Sequence, residues 1–133
     1  MRDIIFRAKM VDDSEWKHGD LITVKRENLC GIKENSLLGL KHLCVSETVG
    51  EYTGLSDKNG RMIFEGDIVK AYDDIGDKEI EVKGKIVFNC GCFDIEDSEA
   101  GYLPLYAFGT EDVEIIGNIY DNPELLAEGA ANA

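Results

Sequence analysis

Residues 51–71 read EYTGLSDKNGRMIFEGDIVKA, with three glycines, three apolar clusters and a polar, partly acidic turn between them. Asn59-Gly60 is the strongest short hairpin signal in the chain, because both residue types tolerate the positive φ that a two-residue primed turn demands. The flanks GEYTGL and RMIF are rich in residue types that strands favour. Glu65-Gly66-Asp67 punctuates the run, and residues 68–72 form the next strand. Asp67 is expected to cap that turn with its carboxylate rather than to do acid–base work. The segment thus predicts two strand-turn-strand units joined at residues 61–64.

The same stretch fails as a ligand loop. With Gly60 at position 6 of a calcium loop, Asp57 and Asn59 fall correctly, but Leu55 takes position 1 and Gly66 position 12. The first and last oxygen ligands are missing. No glycine pattern of the phosphate-binding kind occurs either.

Outward from this segment the pattern stays β. Residues 4–6 read as a short first strand, and WKHGDLITV (16–24) as a Gly-Asp turn feeding a second. SLLGLKHLC (36–44) reads as a helical turn or a buried strand, weakened by Gly39. YDDIGDK (72–78) reads as an exposed loop. From 79 to 88 the chain alternates, with Ile80, Val82, Ile86 and Phe88 on one parity and charged residues on the other, and a bend is expected at Gly84. The apolar parity changes at Phe93 and Ile95, which places a bulge or turn around Gly91. EDSEAG is a polar loop, and YLPLYAF, with Pro104, is an edge strand or a crossing loop. DVEIIGNIY is a last strand, apolar enough to be central. Asn122 and Pro123 then suit the start of a short helix, with Leu125 and Leu126 docked, Gly129 as its stop and the last residues as a frayed tail.

The expected architecture is therefore mainly β. It is one domain over 1–133, with N-terminal strands or an arm over about 1–45. An SH3-like barrel or strongly bent sheet with a short C-terminal helix follows over about 48–128. At 133 residues the chain can enclose a real core. The longest apolar runs are far short of a membrane span, and the N-terminus carries charges among its apolar residues, unlike a signal peptide. A cytoplasmic protein is expected.

Acidic residues outnumber basic ones 27 to 14, a net charge of −13. Such a surface disfavours direct contact with nucleic acid or anionic membranes. Its sharper reading is mimicry of nucleic-acid charge to occupy a DNA-binding host protein. Four cysteines are present. His42 with Cys44, and Cys90 with Cys92, each share a strand face and offer a zinc alternative, but neither pair has the usual knuckle spacing. Cys90 and Cys92 also continue the parity of Ile86 and Phe88, which makes them candidate core thiols. His18 and His42 are the only bases for a thiol nucleophile, and no catalytic constellation stands out. Trp16 is read as a core or subunit-packing residue.

YTGLSDKNGRMIFEGDIVK, with FRAK near the start and EIIGNIYDNPELL near the end, resembles the YopX family of phage and prophage proteins. That family shows an FRAW-like first strand, a YTGLxDKNGxxIYEGDIV block and a closing VIGNIYENPELL, in the same order. Lys9 stands where an aromatic is common, Glu51 where Gln is frequent and Phe64 where Tyr is usual. The resemblance implies a small, mainly β protein with an SH3-type core. It offers no catalytic residue and no cofactor to carry over, and with the ligand spacings above no metal is expected. Tyr52, Gly54, Asp57, Asn59, Gly60, Gly66, Asp67, Gly117, Asn118, Tyr120, Asn122 and Pro123, which match the family blocks, read as turn, cap and packing positions. The expected role is that of a non-enzymatic accessory protein. It would act on a host or phage protein and assemble as a homo-oligomer.

Overall fold

A computed structural model describes residues 3–75 and 78–126, side chains at 74, 75 and 78 aside. The chain divides into two compact units, 1–54 and 55–133.

In the first unit, β1 (Phe6–Lys9), β2 (Trp16–Thr23), β3 (Leu29–Lys33), β4 (Lys41–Val45) and the start of β5 (Gly50–Ser56) pair in the order β4-β3-β2-β1-β5. The ladder coils on itself. Met10 bridges to Cys44, and the Val11 N–H donates to the Leu43 carbonyl at 3.1 Å, so the outer edge of β4 is met by the end of β1. Gly19 permits this curvature. It sits inside β2 at φ +154, and a Cβ there would overlap the Lys33 carbonyl oxygen. The expected Gly-Asp turn is thus a close backbone crossing within one strand. A small core of Ala8, Cys30, Ile32 and Cys44, flanked by Phe6, Met10 and Val49, fills the curl. Buried Thr48 completes it, accepting from the Lys9 N–H at 2.9 Å and donating to the Val45 carbonyl at 2.6 Å.

In the second unit, β6 (Met62–Phe64) is followed by a meander of β7 (Asp67–Ile75), β8 (Lys78–Asn89), β9 (Cys92–Asp97) and β10 (Gly101–Pro104). Two 3-10 turns, Leu105–Ala107 and Thr110–Asp112, lead to β11 (Val113–Asn118), which returns to pair with β7. The order is β10-β9-β8-β7-β11, antiparallel throughout. The sheets are strongly bent rather than closed into a barrel. Gly84 is one bending point, since a Cβ there would overlap the Glu96 carbonyl. The core gathers Ile63, Val69, Ala71, Val82, Ile86, Ile95, Leu105, Val113 and Ile115. A helical turn begins at residues 124–126, and Leu125 packs over Gly117, where a Cβ would lie 2.8 Å from its methyl. The expected helix stop at Gly129 and the tail lie outside the described residues.

Several local expectations are corrected. The first strand starts at Phe6 and runs to Lys9, because the register with Trp16–Gly19 holds those residues. Residues 72–75 are not a loop but the continuation of β7, paired with β8 to Ile75↔Lys78. β11 ends the sheet order instead of lying centrally, with Ile116 bulged between Ile115 and Gly117. Asn59-Gly60 is not a two-residue primed turn: only Gly60 has positive φ, +78. The Asp57 N–H donates to the Arg61 carbonyl at 2.9 Å, and the Gly60 N–H to the Asp57 carbonyl at 3.0 Å, giving a three-residue loop with a left-handed glycine. The primed pair is Cys90-Gly91, φ +50 and +85, closed by Asn89↔Cys92.

Candidate functional site

Two acidic side chains of the opening segment, Asp57 and Asp67, accept hydrogen bonds from backbone N–H groups. Asp57, 1% exposed, accepts at Oδ1 from the N–H groups of Asn59 (3.0 Å) and Arg61 (2.9 Å), and at Oδ2 from that of Ile115 (3.0 Å). One carboxylate thus pins the hairpin loop to β11. Burial pushes its pKa up, but the three N–H donors and the Arg61 charge outweigh that and hold it below the usual range. Asp67 accepts from the Phe64 N–H at 2.8 Å and caps the turn before β7. Asp97 accepts from the N–H groups of Glu99, Ala100 and Lys83. Burial again opposes, yet its pKa is lowered. These three carboxylates position the chain.

The four zinc-alternative residues do not assemble. Cys44 is buried in β4 opposite Cys30. Burial raises its pKa to about 11, with the neighbouring Cys30 adding to the effect. Both thiols therefore stay protonated and pack as small apolar groups. His42 lies 3.3 Å from Glu34 Oε1. Cys90 is not a core thiol: as a corner of the primed turn it is exposed, and the turn reverses the parity expected from Ile86 and Phe88. Cys92 lies half-buried, with its Sγ 3.0 Å from Asp94 Oδ1. Among the described residues no group of three or more His, Cys, Asp or Glu side chains is placed to hold a metal ion.

Trp16 is half-buried, with the Arg7 guanidinium 4.6 Å and the Lys9 ammonium 5.7 Å from its ring centre. Lys9 is cross-strand from Trp16, so a cation faces the indole here.

The feature that sequence reasoning missed is apolar and exposed. Residues 36–44 are neither a helical turn nor a buried strand at their start. Ser36 to Gly39 form a turn in which the Gly39 N–H donates to the Ser36 carbonyl at 3.1 Å. Gly39 takes φ +57, and the Glu34 N–H closes the loop on Leu40 at 2.8 Å. Leu37 and Leu38, the two corners, are 103% and 79% exposed, and Leu40 and Leu43 are also exposed. Ser at the first and Gly at the fourth position of a turn was the signal available. The hydrophobicity of the leucines masked it.

The second unit carries an apolar cleft of about 70 Å³ lined by Leu55, Ile63, Leu105, Tyr106, Phe108 and Val113, with Ser56 and Thr110 at its rim. Tyr106 at its mouth is 73% exposed. The charge is also unevenly divided. Residues 1–54 hold eight basic and nine acidic side chains, and residues 55–133 hold six and eighteen, so the units carry −1 and −12. On the sheet of the second unit the acids are interleaved with lysines, through Lys58–Glu114 (2.9 Å), Lys85–Glu96 (3.6 Å) and Lys70–Glu81 (3.9 Å). No described helix is long and apolar enough to cross a membrane.

Comparison with known proteins agrees with the blocks seen in the sequence. The family model described as YopX protein matches residues 5–127. A crystal structure of protein EF1440 from Enterococcus faecalis is similar over 95% of this chain and 99% of that one, with a TM-score of 0.58 and 23% identity. At that identity the likeness is one of fold. No curated protein matches the chain.

Proposed function

The chain belongs to the YopX family, and from that premise we propose a non-enzymatic accessory protein of phages and prophages. It works in the host cytoplasm by protein–protein contact and assembles with itself. The SH3-type character expected for the family finds support in the strand order, with a 3-10 turn ahead of the last strand and that strand returning to the first of the meander. The observation that carries the reading is the Leu37-Leu38 turn. Two leucines held at the corners of a hydrogen-bonded turn present an exposed apolar patch of the kind that marks a contact site, and we read it as one for protein. The non-enzymatic part rests on buried carboxylates occupied by backbone N–H groups and on buried thiols that stay protonated. Charge mimicry of nucleic acid receives less support, because lysines interrupt the acidic rows of the sheet.

Affinity purification of the tagged chain from bacterial cells tests the reading when paired with the Leu37→Asp/Leu38→Asp variant. Copies of the chain and any host or phage protein retained by wild type should be lost from the variant. Identical profiles for the two would overturn the role given to this turn. Light scattering at micromolar concentration should show a species larger than one chain, and a clean monomer would remove the self-assembly.

A further inference from the structure

The described residues include the buried Cys30/Cys44 thiol pair, an open groove beside Lys83 and Tyr102, and the exposed leucine turn. The thiol pair is buried and protonated, which opposes redox exchange. In the groove, Lys85 is paired with Glu96, and Asp97 sits alongside. The leucine turn is exposed, and charged side chains surround it.

Lys33 and Lys41 flank the turn as directly opposed partners of β3 and β4. The stem of Lys33 lies against Gly39, 3.1 Å from where a Cβ would stand, which brings its charge beside the leucines. Like charges directly across a ladder destabilise it unless a counter-charge is near. Neither lysine makes an ion pair among the described residues. The turn therefore presents two apolar side chains beside two lysines, with the Glu34 carboxylate, 3.3 Å from His42, also in the loop. The cleft mouthed by Tyr106 has the inverse character. It is lined mostly by apolar side chains around about 70 Å³ of open space. Exposed Glu111 and Asp112 follow the lining residue Thr110 in sequence, and Asp112 lines a separate hollow with Asp73 and Glu79. None of these four acids forms an ion pair among the described residues.

We propose that the Leu37-Leu38 turn of one copy seats in the Tyr106 cleft of a second copy. Lys33 and Lys41 of the first would then face Glu111 and Asp112 of the second. This deepens the self-assembly proposed above and rests on it. The contact joins two different patches, so it is heterologous, and each copy keeps one turn and one cleft to offer. Assembly then runs head to tail, as a ring if the rotation closes and as an open chain if it does not. Screening of the lysine–acid contacts makes the association weaken as salt is raised.

The test uses two full-length variants, Leu37→Asp/Leu38→Asp and Leu55→Arg/Tyr106→Arg, with circular dichroism to establish that each is folded. Sedimentation velocity is run on wild type, on each variant and on their equimolar mixture at about 100 μM. Each variant alone should sediment as a monomer. The mixture should give a 1:1 heterodimer and stop there, because only one intact turn and one intact cleft remain. A wild-type oligomer that either variant leaves unchanged overturns the turn–cleft pairing but leaves self-assembly standing. So does a mixture in which both variants remain monomeric. A wild-type monomer overturns the pairing and self-assembly together, while capture of a different protein through the turn would survive that result. The Leu37→Asp/Leu38→Asp change lies at side chains outside both cores, so a folding failure in the cleft variant still leaves the turn half of the pairing open to refutation.

Discussion

Asp57 shows how much structure one buried carboxylate can hold. Its two oxygens accept three backbone N–H groups, two within its own loop and one 58 residues away at Ile115. Asp57→Asn keeps the shape but turns an NH₂ group toward at least one of those donors, leaving a buried N–H unmatched. The expected loss is about 2–3 kcal/mol, given the worth of hydrogen bonds to charged groups and the cost of orphaned donors. It should appear as a lower urea midpoint with an unchanged slope. The pH dependence has a definite sign. The folded-state pKa of Asp57 is depressed. Its stabilisation is therefore complete above the unfolded value of about 3.9 and is lost as pH falls through the folded value. The gap between wild type and Asp57→Asn should be constant near neutrality and shrink below about pH 4. A gap that stays the same into strong acid would show that Asp57 is not held ionised by these donors.

At the scale of elements, two turns exchange the roles the sequence suggests for them. Asn59-Gly60 is correct as the position of a hairpin, but Asp57 draws in the Asn59 and Arg61 N–H groups and forces a three-residue loop. The same carboxylate also accepts the N–H of Ile115, distant in sequence, and no local rule contains that contact. Cys90-Gly91 is the primed pair, and cysteine is a poor residue for a left-handed corner, so composition hid it. The parity change between Phe88 and Phe93 was the legible trace. Leu37 and Leu38 were opaque for another reason: apolarity predicts burial, and here the turn chemistry of Ser36 and Gly39 prevails. Cys90→Asn should raise stability by up to about 1 kcal/mol by relieving the cost of a left-handed non-glycine residue. Gly91→Ala, at φ +85, should lower it by about the same amount. Equal midpoints for the two variants would contradict a primed turn at these positions.

At the scale of the whole molecule, mainly-β character, terminal blocks and family were legible because they depend on local pattern. The division at residue 54 depends on which strands share a core, and that is set by pairings across the chain. The two cores differ in weight. Among the described residues, Ile32 is the one large aliphatic side chain below 2% exposure in the first, accompanied by two thiols, whereas the second contains Ile63, Ile86, Ile95, Leu105, Val69 and Val113. Each fully buried aliphatic side chain contributes on the order of 1.5–3 kcal/mol before conformational entropy is set against it. The first unit should therefore yield to denaturant sooner. The single tryptophan makes this measurable, because Trp16 lies in the first unit and the second has none. In urea, Trp16 fluorescence should change at a lower midpoint than the far-ultraviolet circular dichroism, which reports the strands of both units. Separate midpoints would mark two cooperative units. Coincident midpoints would mean that 1–54 and 55–133 unfold as one, with the smaller core stabilised by more than its own side chains.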